Sequence, residues 1–188
     1  MPIRTQVKPN LLALALLGWF TVLPFAGAAD APGAGPLPVV PDALKAPAGE
    51  EILLVAKARG FQTYECRASK EDPTKYEWAF TGPEADLFDA TGSKIGRHFA
   101  GPTWELSDGS QVVGSLQATV PAAQAGAVPW LLLAAKSHAG DGALTRVTHI
   151  QRLDTMGGKA PAGGASAAHA GEKVRIPYTA AYYFYGPQ

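Results

Sequence analysis

From Ile52 onward the chain alternates short strand-like runs with turn signals, and no stretch repeats with a helical period. Tyr76, Trp78 and Phe80 alternate with Lys75, Glu77 and Ala79, the period of two that marks a half-buried strand. Phe61 to Arg67 behaves the same way, with Gln62, Tyr64 and Cys66 on one side and Phe61, Thr63 and Glu65 on the other. Ile52 to Lys57 reads as a preceding strand, with Arg59-Gly60 as a tight connection, and Gly82-Pro83 ends the run that holds Trp78. Asp86 to Phe99 reads as a hairpin turning at Ala90-Thr91-Gly92-Ser93. Thr103 to Leu106 and Gln111 to Val120 read as another, joined by Ser107-Asp108-Gly109-Ser110. Asp-Gly between apolar runs points to a type I′ turn, whose two central residues both need positive φ. Pro129 to Ala135 is apolar on both faces and reads as a central strand or a buried segment. Gly140-Asp141-Gly142 returns the chain into Ala143 to Leu153. Val174 to Tyr185 is a closing strand, with Pro177 at an edge or bulge. About eight to ten strands, parted by turns every 8–12 residues or so, predict one all-β domain, an antiparallel β-sandwich or β-barrel.

The N-terminal residues predict a location. Arg4 and Lys8 precede an apolar run, Leu11 to Val22, followed by Pro24 and Ala26-Gly27-Ala28. A basic start, an apolar middle and an A-x-A site predict a secretory signal peptide over residues 1–28, cleaved near Ala28, and a secreted or periplasmic product. The run is shorter than the roughly 20 residues of a membrane helix, so no stable span is expected after cleavage. Residues 29–49 are rich in Pro, Ala and Gly and read as an N-terminal arm or linker, and residues 50–188 as the β-rich domain. Cleavage leaves 160 residues, one domain with a real core. The leader takes two basic residues and no acidic one, leaving 14 basic against 16 acidic, a formal charge of −2. That is no electrostatic footprint for nucleic acid or an anionic membrane. Cys66 is the only cysteine. An internal disulfide is therefore ruled out, and a free cysteine of this kind reads as a small buried hydrophobe. Residues 156–172 carry almost no large side chains and read as a mobile loop between the last two strands.

Candidate chemistry gathers in His98 to Ser110 (HFAGPTWELSDGS). On one reading Trp104 is core, His98 is a satisfied strand-end residue and Gly101-Pro102 bends a strand at a sheet corner. On the other, His98, Trp104 and Asp108 line a pocket. In THIQRLDT, His149 and Gln151 share one strand face and Ile150 and Arg152 the other. His98, Trp104, Asp108, His149 and Arg152 are thus the candidate binding residues. His138 and His149, placed across a hairpin, are offset by four residues, roughly 13 Å at about 3.4 Å per residue, too far for one ion. No metal or other cofactor is expected. The chain has no G-x-S-x-G nucleophile elbow, and its Gly140-x-Gly142 sits in a hairpin rather than before a helix. Tyr178, Tyr182, Tyr183 and Tyr185 form an aromatic belt that reads as core.

Taken together, Gln62-x-Tyr64-x-Cys66, Trp78, His98-Phe99-x-Gly101-Pro102-x-Trp104, Asp108-Gly109-Ser110, Pro129-Trp130-Leu131-Leu132-Leu133, Thr148-x-Ile150-Gln151-Arg152, Gly157-Gly158 and Pro177-Tyr178-x-Ala180-x-Tyr182 resemble a known pattern. It is that of the secreted family catalogued as domain of unknown function 3455, of bacteria and fungi, and it spans about residues 38–186. The resemblance implies an exported, β-rich protein and carries no catalytic residue with it. Members often have a second cysteine after the Gly-Gly-x-x-Pro segment. The matching stretch Gly163-Gly164-Ala165-Ser166 has none, which implies a free Cys66 and an untethered 156–172 loop. The leading expectation is an exported, non-enzymatic binding or envelope-associated β module for a carbohydrate or other small polar ligand. One alternative is a hydrolase-like enzyme using His98 and Asp108. Another is a structural or stress-related surface protein with no small ligand.

Overall fold

The computed structural model describes residues 39–188 together with Met1 and Pro2, so the expected leader and most of the arm lie outside the described residues. Eight strands follow in order: β1 (Glu50–Ala68), β2 (Tyr76–Phe88), β3 (Lys94–Phe99), β4 (Thr103–Leu106), β5 (Gln111–Val120), β6 (Trp130–Ala139), β7 (His149–Gly157) and β8 (Lys173–Pro187). Each pairs antiparallel with the next, and β8 returns to pair with β1, closing an up-and-down barrel. Closure satisfies the backbone donors and acceptors that an open sheet would leave bare at its edges. Of the two expected architectures, the barrel is the one formed.

Several local readings change. Arg59-Gly60 is no turn: β1 runs unbroken for 19 residues. Gly60 is there because β2 comes too close for a side chain, since a Cβ would stand 2.1 Å from the Glu84 carbonyl oxygen. Gly82-Pro83 does not end a strand but lies inside β2, beside a bulge where the register passes from Thr63↔Gly82 to Tyr64↔Phe80. Gly101-Pro102 is the turn of the β3–β4 hairpin rather than a sheet corner. The β4–β5 turn is not type I′, because Gly109 (φ 87°) has positive φ and Asp108 does not. Gly109 N–H donates to Leu106 and Leu106 N–H to Ser110, a three-residue loop. The β6–β7 register Ala134↔His149 is as drawn from the sequence. Residues 143–148, however, leave the ladder as turns that bury Leu144 and Val147.

The 156–172 segment is held rather than mobile. Cys66 N–H donates to Glu172 and Gly171 N–H to Cys66, Trp78 Nε1 donates to Gly163 (2.9 Å) and Tyr64 Oη to Gly158 (2.7 Å). Small residues pack little, but their backbones pair as well as any. Cys66 is free and fully buried.

Two layers result. Inside the barrel, Ala56, Ala58 and Gly60 on β1 leave room for Tyr178, Tyr182 and Phe184 on β8 and for Trp104 on β4, the small-against-large pattern that fills a small barrel. Outside, Leu132, Leu153, Tyr183 and Tyr185 are covered by Leu44 from a single 3-10 turn, Asp42–Leu44. Gln151 Nε2 donates to the Leu44 carbonyl (2.6 Å) and Tyr185 Oη donates to Gln151 (2.8 Å). The described end of the arm, 39–49, is therefore packed on the barrel, and the Tyr residues of β8 are buried on both faces. Gly60→Ala forces β1 from β2 and is expected to cost about 3 kcal/mol, read as a lower urea midpoint; an unchanged midpoint would contradict the close approach.

Candidate functional site

The β3–β4 hairpin places His98 directly opposite Trp104. Both point inward, and their rings stack with centroids 4.4 Å apart and planes 11° from parallel. Tyr182 of β8 meets each of them edge-on, at 5.1 and 5.3 Å. Gly114 on β5 makes space for the indole, because a Cβ there would stand 3.0 Å from Trp104 Cζ3. The stacked pair is one wall of a cavity of about 340 Å³ at one end of the barrel. Gln62 and Tyr64 of β1 and Arg152 of β7 line it too, with Leu131 and Leu133 of β6. Phe80 and Leu116, two of the large apolar side chains that stay exposed, stand on its rim.

Residues 47–186 match the family described as "Protein of unknown function (DUF3455)". The chain belongs to this family. No curated protein and no solved structure matches it. The stretch the family covers includes β1 to β7, β8 up to Gly186 and all of the cavity wall.

Of the five candidate residues, His98, Trp104 and Arg152 meet at the cavity. Asp108 does not. Its carboxylate accepts from Ser110 N–H and Oγ–H (2.8 and 2.6 Å) and from Ala143 N–H (2.8 Å). It clasps the β4–β5 turn to the 140–148 segment, and these hydrogen bonds, those of Ser110 first, hold its pKa below the usual carboxylate value. His149 lies on the outer face of β7, where its Nδ1 contacts both Glu50 carboxylate oxygens at 2.8 and 3.0 Å. His138 Nε2 is bound to the Val147 carbonyl (2.7 Å). His98 and Asp108 therefore have separate partners and form no pair. The set lacks Gln62, Tyr64 and Tyr182, which sequence spacing gave no reason to join to His98. Their alternation on β1 and β8 marks them as inward-facing, and barrel closure brings them together.

The wall's polar groups are unevenly matched. His98 Nδ1 lies 2.8 Å from the Thr103 carbonyl, an acceptor, so Nδ1 carries the hydrogen and Nε2 keeps its lone pair. Arg152 gives Nε–H and one Nη2–H to the Pro129 carbonyl (3.1 and 2.9 Å). The Trp104 Nε1–H and the Gln62 amide NH₂ are buried with no hydrogen-bond partner, although the Gln62 amide lies near the Tyr178 hydroxyl. Leaving such a donor bare costs about 1–3 kcal/mol.

His98 is 2% exposed. Burial pushes its pKa from 6.5 down to about 3, the Arg152 charge adding to the fall and the Thr103 hydrogen bond opposing it. Between those values the unfolded chain takes up a proton that the folded one refuses. The neutral, buried ring thus contributes stability in full above about pH 6.5 and loses it toward pH 3, at about 1.4 kcal/mol per pH unit. Asp72, Asp89 and Asp108 have lowered values and act below about pH 4, at the acid end of this window. The unfolding free energy is expected to fall by about 2–3 kcal/mol from pH 6.5 to 4.5, measured by urea titration. In His98→Gln most of that slope disappears; an equal slope in the variant would contradict the assignment.

Proposed function

We propose that this is an exported, non-enzymatic binding protein that holds one small molecule inside the barrel. The observation that carries the reading is an open pocket of about 340 Å³ that reaches into the barrel end, with a largely apolar wall that also holds His98 and Arg152. Eight-stranded barrels have an interior just wide enough for side chains or for one small ligand. Pockets for small molecules have this composition, apolar with a few placed polar groups. Two observations weigh against catalysis. No serine, cysteine, lysine or carboxylate lines the cavity. His98, with a pKa near 3, is far from the value that suits a general base at neutral pH.

The lining also bears on the kind of ligand. A sugar carries a hydroxyl on most of its carbons and would need a partner for each. This wall offers few, and its rim residues Phe80 and Leu116 are apolar. A molecule with an apolar body and one polar end fits better than a carbohydrate.

Thermal shifts test the reading. Octanoate, octan-1-ol and glucose are each added to the mature protein. At least one eight-carbon compound is expected to raise Tm by about 2–4 °C at tenfold its Kd, and glucose to leave it unchanged. Leu116→Trp plugs the mouth and removes the rise. No rise with either eight-carbon compound would support the structural protein without a ligand, and a rise that survives Leu116→Trp would place the binding outside this pocket and overturn the reading.

A further inference from the structure

The cavity has one charged residue on its wall, Arg152. Eight carboxylate ion pairs occur among the described residues, and Arg152 is in none of them. Two of its five N–H donors go to a neutral carbonyl, that of Pro129. Its charge is felt by Tyr64, His98, Tyr178 and Tyr182, so it borders the polar groups of the interior, while its hydrogen bonds to Pro129 lie at the exposed surface. A half-buried guanidinium at the edge of an apolar wall, with no acidic partner among the described residues, is placed to take an anion.

The Gln62 Nε2 and Trp104 Nε1 donors are sealed from the pocket, with no surface open to it, so the free donors that face a ligand are those of the guanidinium. Three of its five N–H groups are not taken by Pro129. An ionised carboxylate is acceptor-only, with about four lone-pair sites, and matches a cation with donors to spare. An ammonium group would add donors and a second positive charge. An alcohol offers an acceptor but leaves Arg152 unneutralised.

Size and lining describe the remainder of the ligand. A cavity of about 150 Å³ holds a benzene, and this one is about 340 Å³, room for about fourteen heavy atoms by the same scale. Two acyl chains of a membrane lipid do not fit. Phe80, Leu116, Leu131 and Leu133 on its lining suit an apolar body, a chain or a ring.

Resting on the binding reading above, we propose that the ligand is a free small carboxylic acid, its carboxylate at Arg152 and its acyl or aryl body in the pocket. Arg152 is then the specificity-determining group.

Isothermal titration calorimetry at neutral pH tests this with octanoate, octan-1-ol and octylammonium on the mature protein and on Arg152→Gln and Arg152→Lys. Octanoate is expected to bind at least tenfold more tightly than octan-1-ol, and octylammonium not to bind. Arg152→Gln lowers octanoate affinity tenfold or more while leaving that for octan-1-ol within about twofold, so the preference for the acid vanishes. Arg152→Lys keeps the charge and retains most of the preference, and it stands in if the glutamine variant does not fold. Octan-1-ol binding as tightly as octanoate, or a preference unchanged in Arg152→Gln, overturns the carboxylate assignment and leaves the cavity reading standing. Binding of none of the three overturns both.

Discussion

Pairing of the first strand with the last is the interaction on which the rest of this structure depends. β1 pairs with β8 from Glu50↔Pro187 to Glu65↔Lys173 and with β2 from Lys57↔Phe88 to Ala68↔Tyr76. Partners more than a hundred residues apart in the chain thus become neighbours. Loop closure over such a distance costs entropy that local contacts do not repay. The return comes from burial: Tyr178, Tyr182 and Phe184 enter the interior only when β8 is zipped to β1. With no disulfide available to Cys66, that burial and the ladder itself keep the barrel shut.

The cavity is a by-product of how the interior is filled. Small residues on β1 and the bare Gly114 on β5 let the large aromatic rings of β4 and β8 lean across the barrel. At one end the filling stops short, and the bulge in β2 and the β3–β4 turn frame an opening. Arg152 stands at its edge, half-buried and in none of the ion pairs among the described residues. A guanidinium with donors to spare beside an apolar pocket makes an anionic ligand the simplest reason for it.

What could be read from residues in order, and what could not, divides along a physical line. Period-two alternation assigned Gln62, Tyr64 and Cys66 to one face of β1, because that pattern is local. It put Ile150 and Arg152 on one face of β7 for the same reason. Glycine was harder to read. Gly60 and Gly82 look like turn formers in sequence, yet one marks two backbones in close approach and the other lies beside a bulge, and both need the neighbouring strand to be seen. Asp108 and His149 were plausible site residues because each has a titratable side chain near a turn. Their partners, Ala143 and Glu50, are 35 and 99 residues away, and such long-range hydrogen bonds decide their roles. His98 and Trp104 were opposed as pocket or core; they are both, since a ring can be buried on one side and line a cavity on the other.

The central claim is that Arg152, at the edge of the pocket, awaits a ligand carboxylate. The most direct measurement is the ¹H–¹⁵N spectrum of the arginine Nε–H groups during titration with octanoate. Arg175, already paired with Glu84, serves as internal reference. The account requires the Arg152 resonance to move and saturate as the carboxylate seats on the guanidinium, while Arg175 stays in place. An Arg152 signal that does not move as the ligand is raised to millimolar concentration would contradict it.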